Sequence, residues 1–159
     1  MNDELTKICL HDYSDVKELS DTSLKLLISD IIDIEEVPSA LSELYNRDKF
    51  GAMVLAENIL KNNLGDEYLQ GAIIEFFFEI DKQYVVNFLE NNIAGLNPYI
   101  FGCILDCFSV ESKQPFGQSL TRGFLENLFQ RYQAYNEEEH ARISDNYDWF
   151  KSSYKEILI

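Results

Sequence analysis

The sequence predicts an all-α protein built from tandem helical hairpins. Three observations carry this prediction. Apolar residues recur at helical spacing along most of the chain. Glycine and proline are scarce, at 7 and 3 in 159 residues. Two segments repeat at intervals slightly above 30 residues. An all-β chain would need more turn residues. Apolar residues make up 46% of the chain, enough to offset the conformational entropy lost on folding.

The first 36 residues hold ten acids and three lysines. A short helix near residues 5–10 fits their pattern. Asp21-Thr22-Ser23 forms an N-cap region for a helix over Leu24, Leu27, Ile28, Ile31 and Ile32, whose spacing marks one apolar face. Pro38 starts the next helix, since its missing N–H costs nothing in a first turn; that helix runs to about Arg47. Asp48 begins another, carrying Met53, Val54, Leu55, Ile59 and Leu60, and Asn62-Asn63-Leu64-Gly65 ends it.

Asp66 caps a helix over residues 66–80, and Asp81 opens one to about Asn92. Asn97-Pro98 starts one that reaches about Val110. Lys113-Gln114-Pro115 reads as a loop before one long helix over residues 116–135. The last helix starts at Asn136, with Glu137, Glu138 and Glu139 placed to complement its dipole, and reaches Tyr154 or beyond.

The repeats organise these elements. The segment from Tyr68 to Phe77 aligns with that from Tyr99 to Phe108 at an offset of 31, with Tyr, Gly, Ile, an acid and the final Phe recurring. A second segment recurs as Leu55-Ala56-Glu57-Asn58, Phe88-Leu89-Glu90-Asn91 and Phe124-Leu125-Glu126-Asn127. This spacing predicts three hairpins, at residues 38–62, 66–92 and 97–135, stacked in one domain over residues 1–159. Residues 1–36 and 136–159 would cap its ends. Gly71 and Gly102 recur in mid-helix, where each costs about 1 kcal/mol relative to alanine, so a neighbouring helix is expected to approach closely there. The helix over residues 66–80 is apolar on most sides, with Glu75 and Glu79 as its narrow wet stripe.

Charge narrows the function. The formal net charge is −15, a balance that repels nucleic acid and anionic lipid and attracts basic proteins. No stretch approaches the roughly 20 apolar residues of a membrane span, and the start of the chain lacks signal-peptide character. Cys9, Cys103 and Cys107 follow no disulfide framework, which fits a reducing cytoplasm. Cys103 and Cys107 lie one helical turn apart, but no nearby histidine or further cysteine completes a metal site, so both are expected to be small core residues. No phosphate loop, nucleophile elbow or zinc-helix motif occurs. The sequence therefore predicts no catalytic residues, metal or cofactor, and a binder rather than an enzyme.

Residues 65–111 carry eight acids against Lys82 alone. Glu57, Glu90 and Glu126 recur on the second helices of the hairpins, and Glu75 and Asp106 on the first. Repetition at fixed phase would align Glu57, Glu75, Glu79, Glu90, Asp106 and Glu126 along one surface, able to steer a basic partner. Tyr68, Tyr99, Tyr135 and Trp149 are candidate aromatic anchors. A solvated acidic face that only maintains solubility is the plainer alternative. A carboxylate enzyme, with or without a divalent metal, is disfavoured because no Asp/Glu/His set has ligand spacing.

The three paired-helix units resemble HEAT-like repeats, a right-handed α/α superhelix. The resemblance rests on Ala40-Leu41 with Leu44-Tyr45, then Leu55 to Leu60, Gly65 to Gln70, and Phe78-Glu79-Ile80. This stretch is similar to the small HEAT-like immunity proteins of bacterial toxin systems, including contact-dependent growth inhibition. The resemblance implies a cytoplasmic protein that binds and neutralises a cognate toxin domain, often a basic nuclease, and supplies no catalytic residues. A helical-repeat adaptor or scaffold for another basic protein shares the same fold and surface.

Overall fold

Side-chain capping sets most of the helix boundaries. The computed structural model describes residues 15–158, so the helix expected near residues 5–10 lies outside them. Every regular element among the described residues is helical, and none is a strand. Their contacts form two compact units, one ending at Phe76 and the other starting at Phe77.

In the first unit, Val16–Glu18 forms a 3-10 turn. Ser20 caps helix α1 (Asp21–Ser29), its Oγ accepting from the Ser23 N–H at 3.1 Å. The cap thus falls one residue before the expected 21–23 region, where the hydroxyl reaches the third helical N–H. Leu24, Leu27 and Ile28 are fully buried. The helix stops earlier than its apolar spacing implied. Ile31 turns left-handed, at φ 48°. Ile32 N–H then reaches the Leu27 carbonyl at 3.1 Å, and Ile31 N–H the Ile28 carbonyl at 3.4 Å. This paired closure is a Schellman motif, and it leaves Ile31 and Ile32 beyond the helix.

Helix α2 (Val37–Arg47) carries Pro38 in its first turn, as expected. Asp48 caps helix α3 (Lys49–Lys61) by accepting from the Gly51 N–H at 2.9 Å. A second Schellman motif ends α3, with Asn63 left-handed and Leu64 N–H on the Ile59 carbonyl at 3.0 Å. Gly65 follows at φ 75°, a conformation that favours glycine. Helices α1, α2 and α3 pack on one another around Leu27, Val37, Leu41, Leu44 and Ile59. Arg47, at the end of α2, ties down the chain ahead of α1. Its guanidinium donates to the backbone oxygens of Lys17 and Leu19, both at 2.7 Å.

Helix α4 (Glu67–Ile80) starts where Asp66 Oδ1 accepts from the Leu69 N–H at 2.8 Å. It contains the last residues of the first unit and the first of the second. Asp81 then caps helix α5 (Lys82–Asn92), and Asn97 caps helix α6 (Pro98–Glu111).

The long helix expected over residues 116–135 is two helices. Helix α7 (Pro115–Ser119) ends at an extended Leu120, and Thr121 caps helix α8 (Arg122–Gln133). Thr121 Oγ1 accepts from Phe124 N–H at 3.2 Å, and Ser119 Oγ bonds back to the Phe116 carbonyl at 2.6 Å. These local bonds compete with helix continuation, which is why serine and threonine favour helix ends.

Helix α9 (Glu137–Ser153) opens with a full capping box between Asn136 and Glu139. Buried Tyr154 separates it from the short helix α10 (Lys155–Leu158) and donates its hydroxyl to the Phe108 carbonyl at 2.7 Å. Burial raises the pKa of this phenol well above its ordinary value.

Helices α6 and α9 pack closely. A Cβ on Gly102 would lie 3.0 Å from Ile143 Cγ2 and 3.3 Å from Asn146 Oδ1. The close approach expected at this glycine is therefore present. Around Phe108, the rings of Phe78, Phe116 and Phe124 lie at 5.6, 6.2 and 5.5 Å between centroids. Phe108 is fully buried, and burying a ring of this size contributes about 1.5–3 kcal/mol relative to exposure.

Candidate functional site

The sequence-predicted carboxylates fall into two environments. Glu75, Glu79, Glu90 and Glu126 are exposed, whereas Glu57 and Asp106 are half-buried. On α4 the exposed positions are Tyr68, Glu75 and Glu79, and half-buried Ala72 falls in line with them, at spacings of four, three and four residues. That spacing is one helical stripe. The remaining faces are covered, with Leu69, Ile73, Ile74, Phe76, Phe77 and Phe78 all buried. The narrow wet stripe expected at Glu75 and Glu79 is therefore present, and it extends back to Tyr68.

Ion pairs temper several of the other acids. Glu57 pairs with Lys61 at 2.9 Å, and Glu126 with Arg122 at 2.8 Å, each one helical turn apart. Such exposed pairs contribute about 0.3–0.5 kcal/mol and leave the carboxylates solvated. Lys82, the one base between residues 65 and 111, pairs with Glu111 at 3.7 Å and lies over the Phe78 ring.

The repeat put Asp106 in phase with Glu75, but the two side chains have different surroundings. Asp106 faces α9 and accepts from Asn146 Nδ2 at 2.7 Å. Burial raises its pKa above the usual carboxylate range, and the Asn146 hydrogen bond opposes that shift. Equivalent phase along a helix preserves side-chain direction, not what packs against it. The second repeat holds better. Ala56, Leu89 and Leu125 are buried, and the acid that follows each of them is exposed or half-exposed.

The aromatic candidates also separate. Tyr68 is 61% exposed and Trp149 is 47% exposed. Tyr99 is half-buried. Tyr135 is buried and donates its hydroxyl to the Leu96 carbonyl at 2.7 Å, with the Arg131 guanidinium over its ring. The sequence reading missed Phe50, which is 79% exposed at the start of α3. Phe50 and Val54, one turn apart, line a shallow groove between α1 and α3 with Leu26 and Leu55. In the second unit, Trp149 and Val110 flank a groove of about 940 Å³ at the ends of α6 and α9.

Among the described residues, no group of three or more His, Cys, Asp or Glu side chains is placed to hold a metal ion. Cys103 and Cys107 are half-buried rather than in the core. His140 stacks on Tyr132 at 4.4 Å, its Nε2 lying 2.6 Å from the Tyr132 carbonyl oxygen. His11 lies outside the described residues. No described helix is long and apolar enough to cross a membrane. No protein-family model and no curated protein sequence matches the chain.

Proposed function

We propose that this protein is an immunity protein that binds and neutralises a cognate toxin domain carrying a basic surface. In this reading its hairpins form a HEAT-like right-handed stack in the bacterial cytoplasm. The observation that carries the proposal is the exposed stripe on α4. It presents Glu75 and Glu79 one turn apart, on a chain of net charge −15. Like charges at this spacing slightly destabilise a helix, so their placement on the wet face favours a role in recognition. Such a surface accelerates encounter with a basic partner and selects against acidic ones. Glu90 adds an exposed carboxylate, and Glu57 and Glu126 add carboxylates shared with neighbouring cations. Asp106 contributes less, because its side chain serves the contact between α6 and α9.

The reading frame immediately upstream should encode a secreted protein with a C-terminal toxin domain, and the test is co-expression with that domain. The protein should protect cells, and in vitro it should retain the domain at low salt and release it as salt rises. Glu75→Lys with Glu79→Lys should weaken binding and reduce protection. Full protection by this double variant removes the site assignment. Capture of a basic protein that is no toxin would instead identify an adaptor.

A further inference from the structure

Beside the Glu75 stripe, the first unit contains a recess of about 270 Å³. This is smaller than the roughly 300–1,000 Å³ of sites for drug-sized ligands, so its volume suits a single long side chain. Ile34, Pro38, Leu69 and Ala72 provide apolar walls. Tyr68, 61% exposed, adds an aromatic ring. Glu35 and Asp66 line the same recess, and both are exposed. Asp66 uses Oδ1 to cap α4.

We infer that this recess captures an arginine side chain of the partner. The inference rests on the basic-partner reading above and names a residue type that the partner must present. Apolar walls suit the three-methylene stem, which buries readily while its charged head stays polar. Tyr68 supplies an aromatic ring for a guanidinium, and Glu35 and Asp66, which line the same recess, are acceptors for its N–H groups. Arginine fits better than lysine because its planar head both stacks and donates in a fork. Tyr68, Ala72 and Glu75 lie on one stripe of α4, so a partner lying along that stripe places its next basic residue at Glu75.

The experiment is an NMR titration of the full chain with two small probes, N-acetyl-arginine amide and its neutral isostere N-acetyl-citrulline amide. The arginine probe should shift the backbone amides of Glu35, Leu69 and Ala72 with a saturating curve, and the citrulline probe should not. Tyr68→Ala should weaken the arginine response about threefold, the size of an exposed cation–π contact, while Tyr68→Phe retains it. Asp66→Asn keeps the helix cap but removes the charge, and should also weaken it.

Equal responses to both probes, or no saturating response to arginine, overturn the inference. A heptalysine peptide, followed at Glu75 and Glu79, tests the basic-partner reading separately. Response to heptalysine without response to arginine ends the recess assignment alone. Response to arginine without response to heptalysine ends the stripe assignment alone. Silence in both arms ends both.

Discussion

Gln70 donates its side-chain amide to the backbone oxygen of Ile59 at 3.1 Å, and the same Nε2 also reaches the Leu64 carbonyl. Gln70 is 4% exposed, on the first turns of α4. Its amide therefore satisfies carbonyls at the end of α3 and fixes the angle at which α4 leaves the turn. Gln70→Leu keeps the volume but leaves the Leu64 carbonyl without this donor, which should cost about 2 kcal/mol in urea unfolding. Gln70→Glu should cost more, since a buried carboxylate would then face carbonyl oxygens. A smaller loss for Gln70→Glu than for Gln70→Leu would show that the site is wetter than its burial implies.

Ile31 should reverse the usual ranking of alanine over glycine. At φ 48° a Cβ is disfavoured by roughly 1–2 kcal/mol, and a β-branched residue is an uncommon choice. Ile31→Ala and Ile31→Gly both lose the half-buried side chain, but Ile31→Gly alone relieves the backbone. The glycine variant should unfold at a higher denaturant midpoint than the alanine variant, by about 1 kcal/mol in stability. The opposite order would place Ile31 outside the left-handed region.

At Gly102, packing should outweigh helix propensity. Alanine gains about 1 kcal/mol of propensity but must be accommodated beside Ile143, which is 1% exposed. Overpacking of this kind typically costs about 1–3 kcal/mol, so Gly102→Ala should be destabilising by roughly 1 kcal/mol net. Combined with Ile143→Ala, the two losses should be less than additive, because the second substitution removes the obstructing methyl group. Full additivity would place α9 farther from α6.

Asp48 and Asp106 should respond to pH in opposite senses. The Gly51 N–H, then Lys25, holds the Asp48 pKa below its ordinary value. The unfolded chain binds that proton first, so the stability Asp48 contributes is present above the unfolded pKa and is lost as pH falls through the folded one. Asp106 is the reverse. Burial raises its pKa, so its favourable contribution is complete below the unfolded carboxylate value and is lost as pH rises through the folded one. Asp48→Asn should narrow the gap between neutral and acidic stability. Asp106→Asn should gain on the parent protein as pH rises from the carboxylate range to neutrality. Paired thermal melts from pH 3 to pH 7, the interval spanning ordinary carboxylate titration, check both. Parallel curves for parent and variant would remove the assignment at that residue.

The helices were legible where side chains act locally. Asp48, Asp81, Asn97 and Asn136 mark helix starts by residue type and spacing, and each caps in the structure. The break at Leu120 was hidden because its apolar side chain continues the helical period, and only the Ser119-Leu120-Thr121 cap chemistry marks it. The stripe on α4 was readable because most of the rest of that helix is apolar. Gln70 was not, since a polar residue at the edge of an apolar run carries no sign of whether it turns inward. The separation of Asp106 from Glu75 was equally hidden, because it depends on Asn146, forty residues downstream in the sequence.

Trp149 is the single tryptophan of the chain, and it stands in the groove between the ends of α6 and α9. Intrinsic emission excited at the red edge therefore reports one location in the second unit, without labelling. A partner that covers Val110 and this groove would shift the colour of that emission, while one that leaves the groove open would not. The protein thus carries a built-in optical probe of whether this groove is covered.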